Sequence, residues 1–143
     1  MLYSKFLKKN KSCPFDNIKK EEIIKENRHA VIILAKAPYT KDHLLIIPKK
    51  HRLKLKDLTK LEQKGIWDLI NWGFEKLHKK HKNISIVYRE GEMKEVGKSI
   101  SHLHVHLVPH LQIGPYNIDG RKRKFISNKL YLRKADCFRE DFE

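Results

Sequence analysis

Cysteine is scarce in this 143-residue chain. Cys13 and Cys137 are the only two, too few for a disulfide framework, so a reducing, cytoplasmic setting is expected. Acidic residues are also sparse, at 17 against 32 lysines and arginines, which leaves a formal charge of +15. That excess excludes nothing about the fold, but it favours anionic partners such as nucleotides, polynucleotides or acidic membrane surfaces. A solvated lysine surface, with Lys19, Lys20, Lys49, Lys50, Lys79 and Lys80 among its members, accounts for much of it. No apolar run reaches the ~18 residues needed to span a bilayer, so a soluble protein with no membrane partner is expected. The opening "MLYSKFLKKNKS" lacks the apolar centre of a secretory signal. It has no acid, as a mitochondrial address would not, but no arginine either. With no Gly/Ser linker and no internal repeat, residues 1–143 are read as a single domain.

What is present falls into a short order of elements. "EEIIKENRHAVIILAKAP" contains two extended segments, the second around Ala30–Ala35. "HLLIIPKKH", His43 to His51, is another β-rich run, stopped at Pro48. The period then changes. Thr59 and Glu62 form a helix-opening capping box, and Leu58, Leu61, Ile66, Leu69, Ile70, Gly73, Phe74 and Leu77 recur at helical spacing. Lysines gather at the end of this helix, where His78 and His81 read as surface residues. "ISIVYRE" is a strand by its branched and aromatic content, and a polar loop bounded by Gly91 and Gly97 follows. Beyond Pro109 the pattern weakens to a basic cluster, Arg121 to Lys124, and one expected strand over Lys129–Arg133. The fold class is α+β: about five strands in a mainly antiparallel sheet, with one long helix.

The chemistry concentrates in "SHLHVHLVPH", residues 101–110. In an extended chain His102, His104 and His106 point to one face, and Leu103, Val105 and Leu107 to the core. The outer two histidines would lie about 13 to 14 Å apart, so a zinc held by all three from one straight strand is disfavoured. A metal site that borrows one of them remains open. Nucleophilic catalysis suits the pattern better. A neutral imidazole attacks phosphorus well, its phosphoramidate is labile to water, and flanking imidazoles can hydrogen-bond phosphate or stage protons.

These residues resemble the histidine triad (HIT) family of nucleotide hydrolases and transferases, nearest to its histidine triad nucleotide-binding branch. "HLHVHLV" matches the motif His-φ-His-φ-His-φ-φ throughout, and "HLLIIPKKH" resembles the family's upstream strand. The resemblance covers residues 13–110 and leaves 111–143 an unmatched basic tail. It implies that His104 is the nucleophile that becomes nucleotidylated, that His106 contacts phosphate and leaving group, and that His102 supports the nucleophile. It places His43 by the nucleotide's phosphate and ribose, and Ser99 where a hydroxyl donates to phosphate. The implied reaction cleaves nucleoside phosphoramidates or dinucleoside polyphosphates through a nucleotidyl-histidine and releases a nucleoside monophosphate. It also implies a purine nucleotide substrate, a homodimer, and no metal required for the chemistry.

Three departures stand out. Lys98 stands where hydrolases of the family commonly carry glutamine, Arg89 lies near the position where an asparagine usually binds the nucleotide, and His110 stands where arginine is frequent. Some members hold structural zinc near "CPFD"; the equivalents here, Cys13, Asp16, His51 and His102, are an acceptable donor set, the alternative being a buried thiol and a turn carboxylate. "KSISHLHVH" also resembles the aprataxin branch, which removes AMP from 5′-adenylated DNA ends, and the basic tail suits a nucleic-acid backbone. The terminal zinc finger of that branch is missing. A non-catalytic nucleotide-binding protein, with Lys98 and Arg89 marking lost activity, is the third reading.

Overall fold

The computed structural model describes residues 13–91, 100–111 and 124–142. Two compact units divide the chain, one ending at Leu111 and the other beginning at Gln112.

The first unit is a five-stranded sheet: β1 (Ile23–Glu26), β2 (Ala30–Leu34), β3 (Leu44–Pro48), β4 (Ile84–Tyr88) and β5 (Val105–Pro109). Their spatial order is β1-β2-β3-β5-β4, and every pairing is antiparallel. The α-helix α1 (Lys60–Leu77) follows β3. Strands β2 and β3 are apolar at consecutive positions because both faces of the sheet are covered. Ala30, Ile32, Leu44, Ile46, Val105 and Leu107 pack toward Ile66, Leu69, Ile70 and Leu77 of α1. Val31, Ile33, Leu45 and Ile47 pack on the other side against Phe15 and Ile100. The period-two geometry therefore turns His43, Leu45 and His106 away from the helix; Leu45 and His106 face one another across the β3–β5 ladder.

Local chemistry sets the ends of these elements. Thr59 Oγ1 accepts from the Glu62 N–H at 3.1 Å, and the Glu62 carboxylate accepts from the Thr59 N–H at 3.3 Å, which realises the expected capping box. Between β1 and β2, Asn27 Oδ1 accepts from the backbone of His29 and Ala30 while Nδ2 donates to the Gly65 carbonyl, tying the turn to the helix. Gly73 lets α1 lie close on β5: a Cβ there would fall 2.5 Å from Leu107 Cδ1. Leu61, expected on the apolar stripe, is instead 63% exposed, and Glu62 occupies the buried face beside it. The exchange is tolerated because Arg52 Nε and Nη2 fork onto the Glu62 carboxylate at 3.2 and 2.9 Å.

In the second unit the expected strand over Lys129–Arg133 is a helix, α2 (Asn128–Phe142). Ser127 Oγ accepts from the Leu130 N–H at its start, and Tyr131, Ala135 and Phe138 recur at helical rather than alternating spacing. Among the described residues no helix is long and apolar enough to cross a membrane.

Candidate active site at the histidine triad

The strand carrying the triad begins at Val105, so only His106 lies in it; His102 and His104 precede it. The stretch before β5 is held by the Leu103 N–H, which donates to the Arg52 carbonyl at 2.6 Å. That bond separates the roles of the three rings. His104 and His106 line a cleft of about 270 Å³ with His43, Tyr39, Lys36, Phe15, Leu45 and Ile100. His102 does not share it. Its ring is fully buried, with Nε2–H donating to the Pro48 carbonyl at 3.0 Å. The expectation that three imidazoles share one cavity is therefore corrected to two, joined by His43.

Hydrogen bonds assign the tautomers. His104 Nδ1–H donates to the His102 carbonyl at 2.7 Å, so the neutral ring carries its lone pair on Nε2. The Tyr39 N–H donates to His43 Nδ1 at 3.1 Å, which puts the His43 proton on Nε2. That proton is donated to His106 Nδ1 at 2.8 Å, leaving His106 with an N–H at Nε2. The rings also stack: His43 and His106 lie 5.0 Å apart at 30°, and His104 meets His106 edge-on at 4.9 Å. Phe15 sets its edge against His104 at 5.3 Å, closing the apolar side.

Burial pushes His43 down to about 4, helped by the charge of Arg89. It pushes His106 down to about 3, with His104, His43 and Arg89 adding to the effect. Lowered this far, both rings are neutral at pH 7, each with one N–H to give and one lone pair. The sign for stability follows. Each ring binds a proton less readily folded than unfolded, where the pKa is about 6.5, so stability is complete above that value and declines as pH falls toward 4. Denaturant unfolding should show a loss of about 2 kcal/mol or more between pH 7 and pH 4.5; an unchanged midpoint would contradict the neutral pair.

On the far side of His102 lies a second constellation. Cys13 Sγ, an Asp16 carboxylate oxygen, a His51 nitrogen and a His102 nitrogen all lie within 4.8 Å of one another. Cys13 Sγ is 3.5 Å and Asp16 Oδ1 3.1 Å from His102 Nδ1, and Asp16 Oδ1 is 2.8 Å from His51 Nδ1. Because His102 spends its proton on the Pro48 carbonyl, its Nδ1 lone pair faces a carboxylate and a sulfur. Burial disfavours a second proton on that ring. A cation placed there would meet the lone pair, the carboxylate and the sulfur together. Tetrahedral zinc needs donor atoms roughly 3.3 to 3.8 Å apart, a range bracketed by the 2.8 to 3.5 Å of the close pairs and the 4.8 Å that encloses all four. The donors present therefore fit the metal that the "CPFD" resemblance implies.

Of the other expected residues, Arg89 reaches the site only through Tyr39, whose hydroxyl accepts from Nη1 at 2.9 Å. Ser99 and Lys98 lie outside the described residues. His81, expected at the surface, is drawn inward: its Nε2 contacts Asp42 Oδ2 at 2.7 Å and its Nδ1 contacts His110 Nε2 at 3.1 Å. Asp42 and His110 hold left-handed backbone there, at φ 64° and 58°. Tyr39, Phe15 and Lys36 were not singled out by sequence reading. For Tyr39 the available signal was an aromatic residue directly after Pro38, four positions before His43.

The HIT domain family model matches residues 17–113. An uncharacterized HIT-like protein of Mycoplasma genitalium is 28% identical over 128 residues, covering 85% of this chain and 91% of its own length. Among solved structures, the histidine triad nucleotide-binding protein from Candida albicans superposes with TM-score 0.70 at 20% identity, over 91% of this chain and 96% of that one. The Plasmodium falciparum diadenosine triphosphate hydrolase does so with TM-score 0.60 at 24% identity, over 82% and 86%. These two likenesses speak to the fold, and the domain match, which spans more than half of the chain, makes the family assignment: this protein belongs to the HIT-domain family.

Proposed function

We propose that the chain is a nucleotide hydrolase or nucleotidyl transferase that works through a nucleotidyl-histidine on His104. One observation carries the reading: the 2.7 Å bond from His104 Nδ1–H to the His102 carbonyl, which leaves the Nε2 lone pair on a ring that lines the cleft. Attack by Nε2 on the α-phosphorus forms the N–P bond as the bond to the leaving group breaks. The ring then carries positive charge, and the same carbonyl accepts its Nδ1–H throughout. His106, donating from Nε2, serves the phosphate and the departing group; His43 keeps it in that tautomer. Water next attacks the phosphorus, the N–P bond breaks, and a nucleoside monophosphate leaves.

The cleft suits such a substrate. Phe15, Ala35, Leu45 and Ile100 form an apolar wall for a base, and among the described residues no carboxylate lines the cavity to repel phosphate. Dinucleoside polyphosphates and nucleoside phosphoramidates are the substrate classes; the likeness to a nucleotide-binding protein and to a diadenosine triphosphate hydrolase supports a nucleotide and the first of the two. The homodimer and the cytoplasmic location belong with this reading; β4, an edge of the sheet with a half-exposed Ile86, offers the pairing surface. Turnover of diadenosine tetraphosphate or adenosine phosphoramidate by the purified protein tests the proposal. Nucleotide binding with no turnover of either would favour a non-catalytic binding protein instead.

We further propose that Cys13, Asp16, His51 and His102 hold a structural zinc. Bound there, the metal would tie the segment before β1 to the triad and contribute to folding rather than to the reaction. Protein purified without added metal should contain about one equivalent of zinc, and Cys13→Ala should lose it and melt at lower temperature. Absence of stoichiometric metal from the unmutated protein would end this part of the account.

A further inference from the structure

Tyr39 is half-exposed, yet it is the best-anchored residue at the mouth of the cleft. Its ring stacks on His106 at 5.6 Å and 15°, and leans on His43 at 4.8 Å and 31°. Its backbone N–H fixes His43, and its hydroxyl receives Arg89, whose guanidinium carbon lies 5.6 Å from the ring centre. Among the described residues Arg89 meets no carboxylate. Its charge is felt by both imidazoles, whose affinity for a proton it lowers. The other cation at the cleft, Lys36, is bonded to Glu22 at 2.8 Å. The guanidinium set by Tyr39 is thus a cation behind the cleft wall whose charge reaches His43 and His106, and on the reading that His106 serves the departing group it acts at the end where that group leaves.

We propose that Arg89, held in place by Tyr39, is a specificity residue that selects substrates whose leaving group is anionic. The inference rests on the hydrolase reading above and adds the leaving-group class to it. The chemistry balances without a further reactant. When His104 Nε2 bonds to the α-phosphorus of a polyphosphate, the electron pair of the broken P–O bond stays on the departing oxygen, beside the guanidinium, and no proton is needed. An amine leaving group must instead take up a proton, and neutral His43 and His106 are poor sources of one. Tyr39 acts as a positioning residue: its ring keeps the histidines stacked and its hydroxyl sets the guanidinium.

The test compares kcat/KM for diadenosine tetraphosphate, which expels ATP, with that for adenosine phosphoramidate, which expels ammonia. Arg89→Gln should lower the ratio of the two by about tenfold or more, the size of one lost charge-assisted contact. Arg89→Lys should restore part of the ratio. Tyr39→Phe, which keeps the stack and removes the hydroxyl, should lower the ratio in the same direction by a smaller factor. A structural defect would depress both substrates together. An unchanged ratio in Arg89→Gln, with the unmutated enzyme turning over both, would overturn the selection while leaving the hydrolase reading intact. Preference of the unmutated enzyme for the phosphoramidate would overturn it too. Failure to turn over either would instead remove the hydrolase reading on which it rests.

Discussion

His104→Ala is expected to slow turnover of diadenosine tetraphosphate by about a thousandfold or more while the protein stays folded. The loss is large because the mechanism has no second nucleophile. His106 spends its Nδ1 lone pair on His43 Nε2–H, and His102 is sealed behind the cleft with its Nε2–H on Pro48. Neither can take over the α-phosphorus. Folding survives because the ring sits in a cleft wall, against Phe15 and His106, rather than among the strand and helix residues of the main core. Steady-state kinetics paired with a thermal melt separates the two effects. Activity within a few-fold of the unmutated protein would remove His104 from the reaction.

The second large effect is on stability. Arg52→Ala should lower stability clearly, because the Glu62 carboxylate, 3% exposed, would lose both forked hydrogen bonds and keep only the Thr59 N–H. The fork, joined by the Thr59 cap, holds Glu62 down to about 2. That carboxylate's pKa is lower folded than unfolded, so its contribution is present above about 4.5 and is lost as pH falls toward 2. In Arg52→Ala this acid-dependent part should shrink. A urea titration at pH 7 and pH 3 reads both quantities. The Arg52 carbonyl also receives the Leu103 N–H, so the segment that anchors the helix start anchors the triad as well. An unchanged urea midpoint in Arg52→Ala would mean that the pair carries little of the stability assigned to it.

The main elements were legible because their signals are local. Alternation in "HLHVH" marked which residues face the helix, and Thr59 with Glu62 marked the helix start within a few residues. What was not legible depends on contacts distant in sequence. Alternation alone puts His102 beside His104 in one cavity; the Leu103 bond to Arg52 and the His102 bond to Pro48 turn it toward Cys13 and Asp16 instead. Glu62 reads as a capping acid, and its burial follows only from Arg52, ten residues earlier. Tyr39 belongs to no motif, and its place over His43 and His106 is set where β3 and β5 pair. In the second unit, "KLYLR" has β-type composition, while Ser127 and the spacing of Tyr131, Ala135 and Phe138 decide for a helix.

Chemical trapping examines the central claim most directly. The protein is mixed with diadenosine tetraphosphate, quenched at alkaline pH where an N–P bond survives, digested, and its peptides are weighed. The account predicts one adenylyl group on the peptide spanning the triad, localised by fragmentation to His104 and missing from His104→Ala. Adenylylation of another residue, or turnover with no adduct at any quench time, would contradict it.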